Sequence, residues 1–481
     1  MDRKEIKDEG ESNKNKWMTL ITVAMNGFII ILDISIVNIS FPKLTQVFKS
    51  EPSVVLWVAV VYSLLTVGLM LTVGRIGDLH GKKKVFIIGY ILFTVGLILC
   101  SLSQSIIQLI LSRIVQGVGG AMNMALSFGL VTDAFPGRER GKALGVMSSV
   151  FAAGPLLGLT IGGLLLDVFS WRFLFYSRVP ICILGIIMAL ELLSEEKRSE
   201  SGPKLDLIGA GIIFASLSCL TLFVNMGGRS GFGSFSIVFL GCTSLILFIV
   251  FIINEGRTKE PVIDLTIFKN PTFSSATISL TIFGLTQSSI FFLHPYFFIS
   301  GINYSSSDAG LFLAIPPLCY SLFAPFCGWL SDKLRSKPLC VSGLILQCFG
   351  LFLCSLWDID VSKLEIITGL FIFGLGGSLF FTPNTNLLMG SAPRDRLGSI
   401  GALVNTIRQM GLAVGMAVTG MIFTLRQVYY SINLSVNYLD PEFLDRLSLV
   451  KAYKDTIFIA SLVSLIGVLT SFFIVEKRRY P

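Results

Sequence analysis

Charge is scarce in this chain and histidine scarcer: charged residues make up 14% of the 481 positions, and imidazole occurs only at His80 and His294. No G-x-x-x-x-G-K-[ST] phosphate loop occurs, and no stretch of soluble composition is long enough to form an ATP-hydrolysing domain. Without a clustered nucleophile, base and oxyanion donors, enzymatic activity is not expected. The nine cysteines, Cys100, Cys219 and Cys354 among them, stand singly in apolar runs with no CxxC pair. They read as small core residues rather than disulfides or metal ligands, and no metal or other cofactor is expected. The first sixteen residues, Met1 to Lys16, lack the apolar core of a cleaved signal and read as a disordered polar tail.

What the chain has in excess is hydrophobic length. Hydrophobic residues account for 53% of it and the mean hydropathy is +0.77, so most of this protein is solvated by lipid. A bilayer core of about 30 Å needs roughly 20 apolar residues in a helix. Fourteen such runs are predicted: 18–41, 54–73, 85–103, 106–132, 141–168, 172–193, 207–226, 234–254, 272–300, 308–331, 338–357, 364–390, 398–425 and 455–476. An even number of spans leaves both termini on one side. The loops on that side carry 26 of the 38 Lys and Arg, the opposite loops nine, and three lie within spans. Positive loops stay in the cytoplasm, so both termini are expected there, in a multi-pass protein of the plasma membrane. The net charge of +8 then needs no nucleic-acid partner.

The chain also repeats itself. Gly74-Arg75-Ile76-Gly77-Asp78 after the second span returns as Gly328-Trp329-Leu330-Ser331-Asp332 after the tenth, 254 residues later. Pro136 to Gly141 before the fifth span returns as Pro393 to Gly398 before the thirteenth, at an offset of 257, with Gly154 and Gly158 then matching Gly411 and Gly415. Two features at nearly one offset indicate a duplicated six-span unit. The expected organisation is a tail (1–16), a six-helix bundle (17–193), a cytoplasmic linker (194–206), two inserted helices (207–254) and a second six-helix bundle (255–481). Two parallel halves around a midplane site is a common plan for secondary transporters.

Four local patterns point further. The loop from Gly74 and Asp78 through Gly81, Lys82, Lys83 and Lys84 resembles the cytoplasmic signature of the major facilitator superfamily. Arg113-Ile114-Val115-Gln116-Gly117 resembles the Arg-x-x-Gln-Gly of its proton-coupled members. Gly154-Pro155-Leu156-Leu157-Gly158, followed by Gly162 and Gly163, resembles the antiporter motif. Leu32-Asp33-Ile34-Ser35 through Pro42, and Asn405-Thr406-Ile407-Arg408-Gln409, resemble signatures of the fourteen-span drug:proton antiporter branch. The resemblance covers nearly the whole chain. It implies an all-α integral membrane protein with the major facilitator fold, two six-helix bundles plus two inserted helices, and a proton-coupled exporter of hydrophobic or amphipathic molecules of the multidrug efflux type. The alternative it leaves is a symporter or exporter of a specific metabolite or anion.

Each pattern has a physical reading. Asp78, at a helix end, is placed to accept backbone N–H groups or to pair with Arg138 or Arg140, forming with Gly74, Gly81, Lys82 and Lys83 a latch that closes the cytoplasmic side. Gly328, Asp332, Arg408 and Gln409 are the second-half counterparts. Gly154, Gly158 and Gly162 share one helix face and permit close backbone approach, while Pro155 removes a hydrogen bond, so this segment is a hinge or a tight seam.

Charges inside an apolar span are costly and mark function. Asp33, in the first span, and Arg113, in the fourth, both fall roughly 10 Å from the outer ends of their helices. A carboxylate in apolar surroundings beside an arginine can bind and release a proton as water access changes, so Asp33 is expected to be the coupling residue and Arg113 its tuner. Arg178, where relatives usually have asparagine, is expected to snorkel to the outer surface. With Asp33 the only deep carboxylate, a preference for cationic drugs is not supported. The candidate cavity residues are Tyr62, Gln116, Asn123, Gln287, His294, Tyr296, Asn384 and Asn386, polar groups in apolar runs. The expected partners are the lipid bilayer, a small-molecule substrate and protons, with the proton gradient as energy source and a monomeric protein.

Overall fold

The computed structural model describes residues 3–50, 52–55, 57–194, 206–231, 233–258, 261–393, 396–434 and 441–475, without the side chains of residues 3–15 and some further positions such as 156 and 163. Fourteen long helices occur among the described residues, and each matches one predicted span. The first six are α1 (Arg3–Ile39), α2 (Trp57–His80), α3 (Lys82–Leu102), α4 (Ile106–Ala134), α5 (Arg140–Val168) and α6 (Val179–Leu192). Two more, α7 (Leu207–Ser230) and α8 (Phe235–Glu255), follow. The last six are α9 (Pro271–Tyr296), α10 (Ile315–Lys333), α11 (Ser336–Ser355), α12 (Lys363–Gly390), α13 (Leu397–Leu434) and α14 (Pro441–Phe472). Thirteen helices among the described residues are long and apolar enough to cross a membrane, and α5 is a further helix of 29 residues.

Local chemistry sets the ends. Ser105 caps α4 by accepting from the Gln108 N–H, Asp206 caps α7 through Ile208 and Gly209, and Ser362 with Glu365 forms a reciprocal capping box on α12. Gly81, at φ +93°, turns the chain between α2 and α3, a conformation that a residue with a Cβ rarely adopts.

Three expectations need correction. The segment expected as a disordered tail continues the first helix from Arg3, and its lysines and glutamates are good helix formers. The last helix begins at Pro441, well before the apolar run that predicted it. The sixth span is broken: a short helix, Phe173–Tyr176, precedes α6, because Pro180 cannot continue a helix from upstream but suits a first turn. The linker 194–206 lies almost wholly outside the described residues.

Within the first half α1 packs on α4, α5 and α6, and α3 on α4 and α6; within the second, α9 packs on α13 and α14, and α11 on α12 and α14. The halves meet where α2 and α4 contact α13 and where α5 contacts α10. The α7–α8 hairpin lies against α2 and α13, beside that junction. Outward-facing positions are apolar, for example Ile88, Ile91, Val95 and Leu99 on α3 and Phe239, Leu245 and Ile246 on α8, as a lipid-facing surface requires. All nine cysteines are unpaired and six are buried, consistent with their reading as core residues.

Candidate functional site

The site begins with one carboxylate. Asp33 is fully buried in α1, and both its oxygens are engaged: Arg113 Nη1 of α4 donates to Oδ2 at 2.6 Å, and Arg178 Nη1, just before α6, donates to Oδ1. Arg113 also donates to Gln116 Oε1 at 2.7 Å and, through Nε, to the Val58 carbonyl at 3.0 Å, and its guanidinium lies over the Tyr62 ring, 4.1 Å from the centroid. The expectation that Arg178 snorkels to the surface is corrected: it is 4% exposed, because the break before α6 turns its side chain inward onto α1. The outcome is a buried triad of one acid and two bases. Breaking such a pair leaves an uncompensated charge in a medium of low dielectric.

The glycines of the fifth helix press on this triad's scaffold. A Cβ at Gly154 would meet Ile31 at 2.9 Å, and one at Gly158 would meet the Leu32 carbonyl at 2.9 Å, so both open a face to the turn of α1 that carries Asp33. The helix runs unbroken through Pro155, which makes this face a seam. Gly162 is buried farther along, and Gly163 belongs to positions not described.

At one end of the molecule the halves are joined by two matching contacts. Asp78, ending α2, accepts the backbone N–H groups of Gly398 and Ser399 at 2.7 Å each, and the Ser399 hydroxyl at 2.5 Å. Asp332, ending α10, accepts the N–H groups of Gly141 and Lys142 at 2.8 Å each. Each carboxylate thus sits on the exposed N–H groups at the start of a helix in the other half, where the helix dipole favours negative charge. Glycines allow the approach: a Cβ at Gly74 would fall 2.8 Å from the Gly398 carbonyl, and one at Gly328 would fall onto the Gly141 carbonyl. Of the two arrangements expected for Asp78, acceptance of backbone N–H groups is the one seen in these contacts. Arg138 is exposed, and Lys82 bridges Asp133 at 2.7 Å with Asp78 3.9 Å away. Lys83 is half-buried beside it.

The sequence profile of the Major Facilitator Superfamily matches residues 23–416. This chain belongs to that superfamily. It is 32% identical over 466 residues, 96% of this chain and 98% of the relative, to the riboflavin transporter RibZ of Clostridioides difficile. It is 28% identical to the multidrug resistance protein Stp of Mycobacterium tuberculosis, over 85% of this chain and 76% of that one. It is also 28% identical to the multidrug transporter protein MdtP of Bacillus subtilis, over 90% and 80%. The fold is shared with the human organic anion transporter MFSD10 (TETRAN), at a TM-score of 0.65 and 14% identity, over 95% of this chain and 99% of that one.

Around this facilitator's triad the remaining polar residues divide. Asn123 is fully buried against Gly89 of α3, Asn384 donates to the Ala276 carbonyl at 3.1 Å and Asn386 to Ser331 Oγ at 3.1 Å, all of which tie helix to helix. His294 is fully buried and enclosed by Phe298, Trp357 and Tyr453, because α9 ends there in a π-helical turn (Phe297–Gly301) that folds aromatic rings over it. Tyr296 faces outward, about half exposed (48%). Gln287 donates to the Tyr320 hydroxyl at 3.2 Å between α9 and α10. Gln409 lines a cavity of about 420 Å³ between α2, α7 and α13, and an apolar one of about 510 Å³ adjoins it between α2, α8, α9 and α13. Arg408 lies over the Phe381 ring, 5.6 Å from its centroid, and its Nε has no hydrogen-bond partner.

Sequence reasoning missed the role of Arg178 and the helix starts at Gly141 and Gly398 as partners of the two aspartates. The signals were present: three arginines against one acid in the spans, and a repeat that had singled out both helix starts.

Proposed function

We propose that this facilitator exports hydrophobic or amphipathic small molecules across the plasma membrane in exchange for protons, with both termini in the cytoplasm. The observation that carries the reading is the Asp33 carboxylate, enclosed in the first half with an arginine on each oxygen. Protonating Asp33 removes the charge that Arg113 and Arg178 share, which is strongly unfavourable unless α1, α4 and α6 move or water enters. Proton binding is then tied to a conformational change, as coupling requires. The glycine seam of α5 against the same turn of α1 gives that change a route to the helix whose start is held by Asp332. Both halves and both closing contacts lie in one chain, which supports a monomer as the working unit.

A second reading, transport of a specific metabolite, is favoured by the 32% identity to a riboflavin transporter along 96% of the chain. One experiment addresses both. Inverted vesicles containing the protein are given lipophilic dyes, antibiotics and riboflavin, with and without an imposed proton gradient, wild type beside Asp33→Asn. Gradient-driven uptake of several dyes, abolished in the variant, is the expected result. Uptake of riboflavin alone replaces the first reading with the second, and full gradient-driven uptake by Asp33→Asn removes Asp33 from the mechanism.

A further inference from the structure

Three arginines lie deep in the spans, and two of them share Asp33. The third, Arg408, makes no ion pair with any described residue, and its Nε is buried without a partner. Its position follows from helical register. On α13 the positions i, i+4 and i+7 share a face. Gly401 approaches Gly129 of α4, Asn405 donates to the Met124 carbonyl at 3.0 Å, and the next residue on that face is Arg408. The sums of these paired numbers are nearly constant, as antiparallel helices require, which sets Arg408 opposite the level of Ala121. It is the first position on this face beyond the closed junction of the halves, and it is partly exposed where Gly401 and Asn405 are buried.

Aromatic rings surround it on the second-half side. Phe381 lies beneath the guanidinium, Phe283 stacks on Phe381 at 6.0 Å, and Tyr320 meets the edge of Phe283 and accepts from Gln287. A guanidinium held in an apolar interior without a carboxylate is costly, and the deficit is relieved by an anion arriving from outside the protein. The planar fork matches a carboxylate or a similar oxyanion bidentately, and the rings beside it suit a flat conjugated body.

We propose that Arg408 is the anion-recognising residue of the transport site, and that the substrate class is aromatic compounds carrying an oxyanion. This rests on the transport reading above, which by itself leaves the charge of the substrate open.

The test uses the full chain in proteoliposomes and in detergent, with fluorescein as the aromatic anion and tetraphenylphosphonium as the aromatic cation. The expected result is that wild type binds and carries fluorescein. Arg408→Gln weakens fluorescein binding about tenfold or more with thermal stability unchanged, Arg408→Lys restores part of the loss, and tetraphenylphosphonium binds no better than about a tenth as well as fluorescein to wild type. Equal fluorescein affinity in wild type and Arg408→Gln, or no fluorescein binding by wild type, overturns the proposal. Arg408-dependent fluorescein binding without gradient-driven flux of either probe retains the anion site and sinks the transport reading. If Arg408→Gln fails to fold, competition on wild type decides: 2-naphthoate must displace fluorescein about tenfold better than neutral 2-naphthamide, and equal displacement overturns the assignment.

Discussion

Asp78 and Gly398 are 320 residues apart in the chain and joined by a 2.7 Å hydrogen bond from backbone N–H to carboxylate. The repeat carries Asp78 to Asp332, 254 residues on, and Gly398 back to Gly141, 257 residues earlier, and these two are joined in the same way. A duplicated sequence has thus produced two acid-to-helix-start contacts that close one end of the molecule symmetrically.

Removing one of these charges should loosen that end without unfolding either half. Charge-assisted capping of a helix start is worth about 1–2 kcal/mol, so Asp78→Asn should shift the closed-to-open ratio roughly tenfold. Distances between spin labels on α2 and α13 would report it. An unchanged distance distribution in Asp78→Asn and in Asp332→Asn would show that the contacts do not hold the closed state.

The glycine seams give a steric counterpart. A side chain at Gly328 has no room beside the Gly141 carbonyl, so Gly328→Val should wedge α10 from α5 and make cysteines placed at this end accessible to a thiol reagent. Gly137→Ala, where a Cβ meets nothing within 4 Å, should leave labelling as in wild type. Equal labelling in the two variants contradicts the seam.

The triad predicts non-additive stability. Asp33→Ala leaves two buried guanidiniums unpaired and should cost about 3–5 kcal/mol, whereas adding Arg178→Gln to Asp33→Ala should recover part of that loss. Thermal melting of the purified single and double variants measures the coupling. If the double variant falls by the sum of the two single losses, Arg178 and Asp33 do not act as a pair.

Outside the spans, Asp264 gives a pH dependence of known sign. Partial burial pushes its carboxyl up, but the Thr266 hydroxyl and backbone N–H and the Arg396 guanidinium, 3.1 Å away, outweigh that and hold it below the ordinary carboxylate value. A group lowered by folding stabilises the folded protein above its unfolded value of about 3.9 and ceases to as pH falls through its folded value. The melting difference between wild type and Asp264→Asn should therefore be constant near neutrality and shrink below about pH 4. A difference that grows on acidification reverses the assignment.

What the sequence determined by itself was the architecture. Lipid offers no hydrogen bonds to a backbone, so every apolar run of spanning length had to be a helix, and fourteen runs became fourteen helices whose order and repeat were legible before any coordinates. Asp33 and Arg113 were also brought to one level by counting residues along their helices. Their third partner was not, because Arg178 reaches Asp33 only through the break that Pro180 imposes and the packing of α6 on α1. The aspartate partners at Gly398 and Gly141 were hidden for a different reason: nearly every residue carries a backbone N–H, and only the tertiary structure decides which ones are left unbonded at a helix start and face a carboxylate. The isolation of Arg408 belongs with these. A sequence counts charges, but the distances that leave one of them without a partner are set by how the two halves pack.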